Sequence, residues 1–356
     1  MQSCVKTAIG KVEMADIPTP TPGPGEMVVK TTLATVCGSD MHFLDGLPTE
    51  LLVFLYSDLA GFIAGLPGLP MGHEGVGTVH AVGEGVTRFQ PGERVIASCL
   101  YGCGKCVQCS TGDYSMCTGG GRVLFGTQSE YFLIPFADIN AAKVPDEVSD
   151  EQAILATDIM STGFAATERA EMKIGDSVAI FAQGPVGLCA TAGARARGAG
   201  LVITVESVPE RIEASKKFGA NVVINPKEKD PVSEITSLTN GQGVDVAVEA
   251  VGLQETFEQA SRAVRRGGTL SSIGVYGVLP QVCMPTTAPS FYHRKVVMTF
   301  CPCGHDRLAH LLDIIRYGKV DLSPLFTHRM KLSQAPEAFD LFRSKREGVL
   351  KIALTP

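Results

Sequence analysis

Ser177-Val178-Ala179-Ile180-Phe181-Ala182-Gln183-Gly184-Pro185-Val186-Gly187-Leu188-Cys189-Ala190-Thr191-Ala192-Gly193-Ala194 runs from an apolar strand through a glycine turn into a helix of small residues. Glycines at such a turn let the backbone approach a pyrophosphate, which then sits on the positive helix N-terminus. Ala182 stands where the first glycine of the pattern falls, so the fingerprint is imperfect. Glu206 lies nineteen residues beyond Gly187, at the end of the next apolar run. A carboxylate there accepts hydrogen bonds from ribose hydroxyls and repels a 2′-phosphate, which selects NAD over NADP. Two alternatives stay open: Glu206 as a solvated strand end, and Arg211 as a holder of phosphate.

Working outward, the same rhythm of strand, turn and helix repeats. Apolar runs stand at Ser177 to Ala182, Leu201 to Glu206, Asn221 to Ile224, Val244 to Glu249, Thr269 to Ile273 and Val296 to Phe300. Parallel strands covered by helices on both faces read as such continuous runs. Glu210 to Phe218 reads as a helix opened by a Ser207-Val208-Pro209-Glu210 capping box and closed at Gly219. The pattern predicts an α/β fold with a doubly wound parallel sheet over 161–300.

Residues 1–160 read differently, as short strands punctuated by glycine and proline, among them Glu26 to Lys30, Gly77 to Val82 and Glu93 to Ala97. The segment 301–356 returns to mixed helix and strand and is expected to complete this first, mostly β domain. With 356 residues, 45% hydrophobic and 19% charged, the chain has ample material for two cores. A net charge of −6 offers no basic field for nucleic acid or anionic lipid. Neither is expected as a partner. Met1 to Thr7 lacks a basic segment followed by an apolar run, so a cytoplasmic location is expected. Leu51 to Met71 is strongly apolar, but Asp58, Gly61, Gly65, Pro67, Gly68 and Pro70 interrupt it. A loop or short helix over an apolar cavity is expected there rather than a membrane span.

Of eleven cysteines, Cys103, Cys106, Cys109 and Cys117 crowd into fifteen residues with the spacing C-x2-C-x2-C-x7-C. Four thiolates on one lobe close a tetrahedral zinc shell and leave no position for substrate, as in a structural site. An iron–sulfur cluster and disulfides are the alternatives. Thr118, where the bacterial iron–sulfur pattern has proline, argues against the first.

A second set is dispersed: Cys37, His73 and Asp158, one sulfur, one imidazole and one carboxylate. Taken singly, each reads as a buried or capping residue. Cys37-Gly38-Ser39-Asp40, Gly72-His73-Glu74-Gly75-Val76-Gly77, the four-cysteine lobe and Gly184-Pro185-Val186-Gly187, in this order, resemble the zinc-dependent medium-chain alcohol dehydrogenases. Asp158-Ile159-Met160-Ser161-Thr162-Gly163-Phe164 resembles the bacterial secondary-alcohol branch. The resemblance implies a GroES-like catalytic domain beside a Rossmann domain, and a homo-oligomer, a tetramer rather than a dimer. It implies two zinc ions per subunit: a catalytic one on Cys37, His73 and Asp158 with Glu74 beside it as an alternative ligand, and a structural one on the lobe.

The implied activity is reversible, NAD-linked oxidation of a small-molecule alcohol, hydrophobic and secondary, to a ketone or aldehyde, with zinc as the Lewis acid. Ser39 and His42 are the implied proton relay. Thr162, Val251, Gly252, Val275 and Tyr276 are expected along the cofactor cleft. The 35 residues between Cys37 and His73 look longer than the family's usual spacing, which should reshape the substrate entrance. Rival readings are a zinc-free quinone or enoyl reductase of the same fold, and a non-catalytic nucleotide-binding protein with structural zinc only.

Overall fold

The computed structural model describes residues 1–46, 68–276, 281–284 and 293–356. Of the apolar stretch Leu51 to Met71, residues 51–67 lie outside these, and so does the loop or short helix expected there. Among the described residues no helix is long and apolar enough to cross a membrane.

Eight strands come first: β1 Gln2–Ala8, β2 Lys11–Asp16, β3 Met27–Val36, β4 Leu69–Pro70, β5 Gly75–Val82, β6 Arg94–Ala97, β7 Tyr131–Ile134 and β8 Ala141–Lys143. Six follow in the second half: β9 Ser177–Phe181, β10 Leu201–Val205, β11 Val222–Ile224, β12 Val244–Glu249, β13 Val264–Ser272 and β14 Lys295–Met298. Two close the described chain, β15 Phe326–Lys331 and β16 Lys351–Thr355. The chain divides into two compact units, Met1–Ser161 with Pro302–Pro356, and Thr162–Cys301.

In the first unit β3 is the hub. It is antiparallel to β5, β7 and β16, within the order β15-β16-β3-β5-β6-β8. Most of its ten residues are buried, because Met27 and Val29 pack with Phe89, Val95, Leu124 and Phe132 while the other face is covered too. Each such side chain contributes about 1.5–3 kcal/mol by leaving water. Strand β16 enters beside β3 with Ala353 opposite Thr35 and Ile352 opposite Val36. That register carries Lys351 to the end of β3 where Cys37 follows.

In the second unit the sheet order is β11-β10-β9-β12-β13-β14, and every pairing is parallel. Strand side chains alternate between faces. Val178 and Ile180 therefore join one core with Val202, Val246 and Val248, while Ala179 and Phe181 join another with Ile203, Val205 and Ile224. Helices Pro185–Ala196, Pro209–Lys217, Pro231–Leu238 and Gln254–Ala263 follow β9, β10, β11 and β12. The chain runs outward from β9 through β10 to β11 and then returns to β12 on the other side of β9, which makes a topological switch point at the carboxyl ends of β9 and β12. This is the doubly wound parallel sheet expected from the apolar runs.

Three local expectations need correction. The helix after β10 is not opened by Ser207: it begins at Pro209, with Val208 at the cap position and no side-chain cap. Proline at the first helical position presets the backbone and lacks an N–H that would otherwise be orphaned. Strand β13 starts at Val264, earlier than Thr269, across a register irregularity opposite Val244 and Val246. Strand β14 stops at Met298, short of Phe300.

Candidate metal centres and dinucleotide turn

Cys37 is the cap residue between β3 and the helix Gly38–Asp45, with extended backbone (φ −116°, ψ 159°). Asp40 is the third residue of that helix. Its Oδ2 accepts the Cys37 N–H (3.0 Å) and the Gln128 Nε2–H (3.1 Å), so one carboxylate pins the turn that presents Cys37. Its Oδ1 faces His73 Nδ1 at 3.1 Å. His73 follows Gly72, whose φ is +86° and where a Cβ would lie 2.7 Å from the Gln128 nitrogen. Only glycine fits that turn. Asp158 precedes the helix Ile159–Arg169, and its Oδ2 lies 3.3 Å from His73 Nε2 and 3.6 Å from Cys37 Sγ.

These distances fit one ion. Zinc ligands about 2.0–2.3 Å from a common tetrahedral centre stand about 3.3–3.8 Å apart. His73 is buried, and among the described residues its Nε2 makes no hydrogen bond of good geometry although it faces Asp158 at 3.3 Å. A buried imidazole nitrogen left so is an open ligand position. Burial raises the Cys37 thiol, with Glu74 and Asp158 adding to it against Lys351. Burial alone would lower the His73 pKa, yet Asp40, Asp158 and Cys37 raise it well above its ordinary value. The pocket thus gathers the Asp40, Glu74 and Asp158 carboxylates against the His73 imidazole and the Lys351 ammonium.

Glu74 belongs to the same cluster, its carboxylate within 4.8 Å of the Cys37 sulfur and a His73 ring nitrogen. Its Oε2 is held by the Thr35 hydroxyl and the Lys351 ammonium. Its Oε1 is buried and, among the described residues, without a hydrogen-bond partner. Lys351 itself is only 1% exposed.

In the lobe, the sulfurs of Cys103, Cys106, Cys109 and Cys117 lie within 4.8 Å of one another, with Cys106 Sγ 3.5 Å from Cys109 Sγ and 3.8 Å from Cys117 Sγ. Four sulfurs about 2.3 Å from a tetrahedral centre are about 3.8 Å apart. Backbone N–H groups of Cys103, Gly119 and Gly121 all point at Cys117 Sγ at 3.3 Å, which stabilises a thiolate. N–H donors at Cys109 and Thr118 hold the Cys106 thiol down to about 5. All four cysteines are thiols rather than disulfides. Zinc fits this shell on spacing and on charge.

In the second unit Ala182 occupies the first-glycine position with φ +72°, so the turn keeps the left-handed geometry with a methyl group in place. Gly184 caps the helix and Pro185 takes its first position. A Cβ on Gly187 would lie 2.1 Å from the Ala182 carbonyl oxygen, so the helix start packs on the turn only without a side chain. Glu206 is buried. Its Oε2 accepts the Gln183 N–H (2.9 Å), and its Oε1 accepts those of Ser207 (2.7 Å) and Val208 (3.0 Å). That carboxylate welds the turn to the end of β10. The Arg211 guanidinium comes within 3.9 Å of where a Cβ on Gly184 would be.

Val251, Gly252, Val275 and Tyr276 form a second group, at the carboxyl ends of β12 and β13. Buried Glu249 ties it together: Oε1 accepts the Val251 and Gly252 N–H groups (2.8 and 2.9 Å), and Oε2 accepts the Tyr276 hydroxyl (2.6 Å). Thr162 is buried at the start of this unit. In the first unit, Ser39 and His42 sit three apart on the helix Gly38–Asp45 and share a face.

Residues 23–146 match the family model described as the alcohol dehydrogenase GroES-like domain, and 185–316 match that of the zinc-binding dehydrogenases. An alcohol dehydrogenase of Cupriavidus necator is 40% identical over 376 residues, covering 100% of this chain and 99% of that protein. The chain belongs to the zinc-dependent medium-chain alcohol dehydrogenase family. An NADP-dependent isopropanol dehydrogenase of Thermoanaerobacter brockii is 33% identical over 362 residues, covering 99% of this chain and 98% of that one. Among solved structures, the alcohol dehydrogenase TADH from Thermus sp. ATN1 superposes with a TM-score of 0.88 at 32% identity, over 100% of this chain and 99% of that one. The chain is thus an oxidoreductase of this family with its GroES-like and Rossmann parts.

Sequence reasoning passed over Asp40, Thr35, Gln128, Glu249 and Lys351. Asp40 carried one local signal, an acid three residues after a helix cap. The others carried none, since their partners depend on strand order and loop packing.

Proposed function

We propose that this chain is an NAD-linked, zinc-dependent alcohol dehydrogenase that reversibly oxidises a hydrophobic secondary alcohol to its ketone. The observation that carries the reading is the convergence of Cys37, His73 and Asp158, with the buried His73 Nε2 3.3 Å from Asp158 Oδ2 and, among the described residues, making no hydrogen bond of good geometry. When bound, zinc supplies the Lewis acidity that lets an alcohol lose its proton, and the nicotinamide accepts the hydride. Cys37, His73 and Asp158 hold the catalytic ion, and the four lobe cysteines hold the structural one. Asp40 fixes the His73 tautomer by accepting its Nδ1–H. Ser39 takes the substrate proton and His42, one turn along, passes it on.

Gly184 to Gly187 seat the pyrophosphate on the helix start, and Thr162, Val251, Val275 and Tyr276 line the remainder of the cofactor cleft. The Glu206 charge favours a ribose hydroxyl over a 2′-phosphate. Arg211 beside Gly184 favours the NADP reading, and relatives of that preference exist. A homotetramer goes with the proposal.

Metal content per chain and the NADH absorbance change with secondary and primary alcohols, under NAD or NADP, test it. Two zinc ions per chain and oxidation of secondary alcohols with NAD are expected. One ion and no turnover of any alcohol would restrict zinc to the lobe and overturn the dehydrogenase reading. Turnover of a quinone or enoyl substrate without a second ion would replace it with a reductase.

A further inference from the structure

Glu249 is a fully buried carboxylate at the last position of β12, and among the described residues no cation pairs with it. A buried anion without a counter-charge persists only where hydrogen bonds answer it. Five donors do so, divided between its two oxygens. Oε1 takes the Val251 and Gly252 N–H groups and the Thr256 hydroxyl (2.8 Å), which belong to the turn after β12 and the start of the helix Gln254–Ala263. Oε2 takes the Ser272 hydroxyl (3.1 Å) at the end of β13 and the Tyr276 hydroxyl (2.6 Å) just beyond it. The two turns also meet through backbone: a Cβ on Gly252 would lie 2.2 Å from the Val275 carbonyl oxygen, and one on Gly274 would lie 2.3 Å from the Gly252 nitrogen.

This junction stands at the carboxyl edge of the parallel sheet, where such sheets bind their ligands. Its donors are turned inward onto Glu249, and what it leaves open is apolar: Val251 and Val275 are each 37% exposed. Two branched side chains on touching turns make a floor for a flat ring, and a floor already rigid needs no ordering when the ring arrives. We propose that Glu249, with Tyr276 as its outer hook, is a positioning residue that fixes Val251 and Val275 as a preformed seat for the nicotinamide end of the dinucleotide. The inference rests on the reading of Val251, Val275 and Tyr276 as part of the cofactor cleft, and it gives a reason for a buried anion that no cation balances. Fully buried, the carboxylate acts only through the turns it holds.

NADH and ADP-ribose are the probes, since ADP-ribose keeps the adenosine and pyrophosphate and lacks the nicotinamide ring. Calorimetry on the full chain gives both dissociation constants. A native chain that binds neither would refute the cleft reading itself, separately from this inference. Glu249→Gln keeps the volume but sets an NH2 group where donors converge, and NADH is expected to bind about tenfold more weakly while ADP-ribose stays within about twofold. Tyr276→Phe keeps the ring and frees Oε2 of one donor, and should weaken NADH about threefold with ADP-ribose again unmoved. The double variant should bind NADH no more weakly than Glu249→Gln alone, because both residues act through one carboxylate. Equal losses for the two ligands, which a merely structural role gives, or native NADH binding by a folded Glu249→Gln protein would overturn the proposal. Should that variant not fold, equal losses or unchanged NADH binding in Tyr276→Phe would overturn it.

Discussion

Asp40 Oδ1 and His73 Nδ1 face each other at 3.1 Å, while the other oxygen of Asp40 holds the Cys37 N–H. One buried carboxylate thus orients two candidate ligands that have 35 residues between them in the chain. Asp40→Asn keeps the shape but reverses the hydrogen-bond sense toward Nδ1 on one rotamer and loses the charge on both. Zinc affinity is expected to fall 10–100-fold, the usual cost of losing such an outer partner. Competition with a chromophoric chelator checks it.

Gly187→Ala places a methyl group 2.1 Å from the Ala182 carbonyl oxygen, and backbone is what must yield. A loss of about 2 kcal/mol or more in stability is expected, as for other overpacked sites. NADH binding should weaken more than stability alone requires, because the displaced turn is the cofactor's seat. Thermal unfolding with and without NADH separates the two effects.

His42→Ala tests the relay. Burial lowers the His42 pKa below its ordinary value, against the opposing pull of Asp45. The ring is then neutral at pH 7 and able to accept a proton, and oxidation that needs it should lose rate as pH falls through that lowered value. The variant is expected to lose that acid limb and about 10²-fold in kcat. An unchanged pH–rate profile would remove His42 from the mechanism.

Cys106→Ser removes a lobe sulfur whose pKa backbone N–H donors hold down to about 5. One metal equivalent per chain should be lost, with a lower unfolding temperature and the Cys37 centre still loaded. Metal analysis paired with calorimetry gives the answer; loss of both ions would join the two centres into one unit.

Asp245 links β12 to β9 and β13. Burial raises its pKa, but the Ser177 hydroxyl and N–H (2.7 and 2.8 Å) and the Arg265 guanidinium (2.6 Å) more than offset this, so the folded value is lowered. Its contribution is complete above the unfolded carboxylate pKa of about 3.9 and is lost as pH falls through the folded value. Asp245→Asn should cost about 1 kcal/mol at pH 7 and flatten the acid end of the stability curve. Urea unfolding at several pH values measures both.

The second unit was the most legible because its strands are buried on both faces, so Ser177 to Phe181 or Leu201 to Val205 needs no partner to be recognised. The four-cysteine spacing was legible for the same reason: the chemistry is local, and the sulfurs meet within fifteen residues. Cys37, His73 and Asp158 came only through resemblance, since no spacing in the chain joins them. Lys351 was invisible: its partner lies 277 residues away and is reached only because β16 docks beside β3. Ser207 misled because a proline at the first helical position moves the helix start past a serine that looks like a cap. The apolar residues from 51 to 67 lie outside the described structure, so the entrance they were expected to reshape is not assigned.

Strand β16 comes from the far side of the 162–301 unit in sequence, yet it lies in the same sheet as β3. During synthesis, domains fold in the order in which they emerge. The Rossmann unit is one uninterrupted segment and is free to fold while the ribosome is still making the C-terminal strands. The other unit needs β16, without which the Cys37 end of β3 is uncovered and Glu74 lacks the Lys351 ammonium. A chain that lacks β16 therefore holds an exposed β3 edge and a Glu74 carboxylate without the Lys351 ammonium.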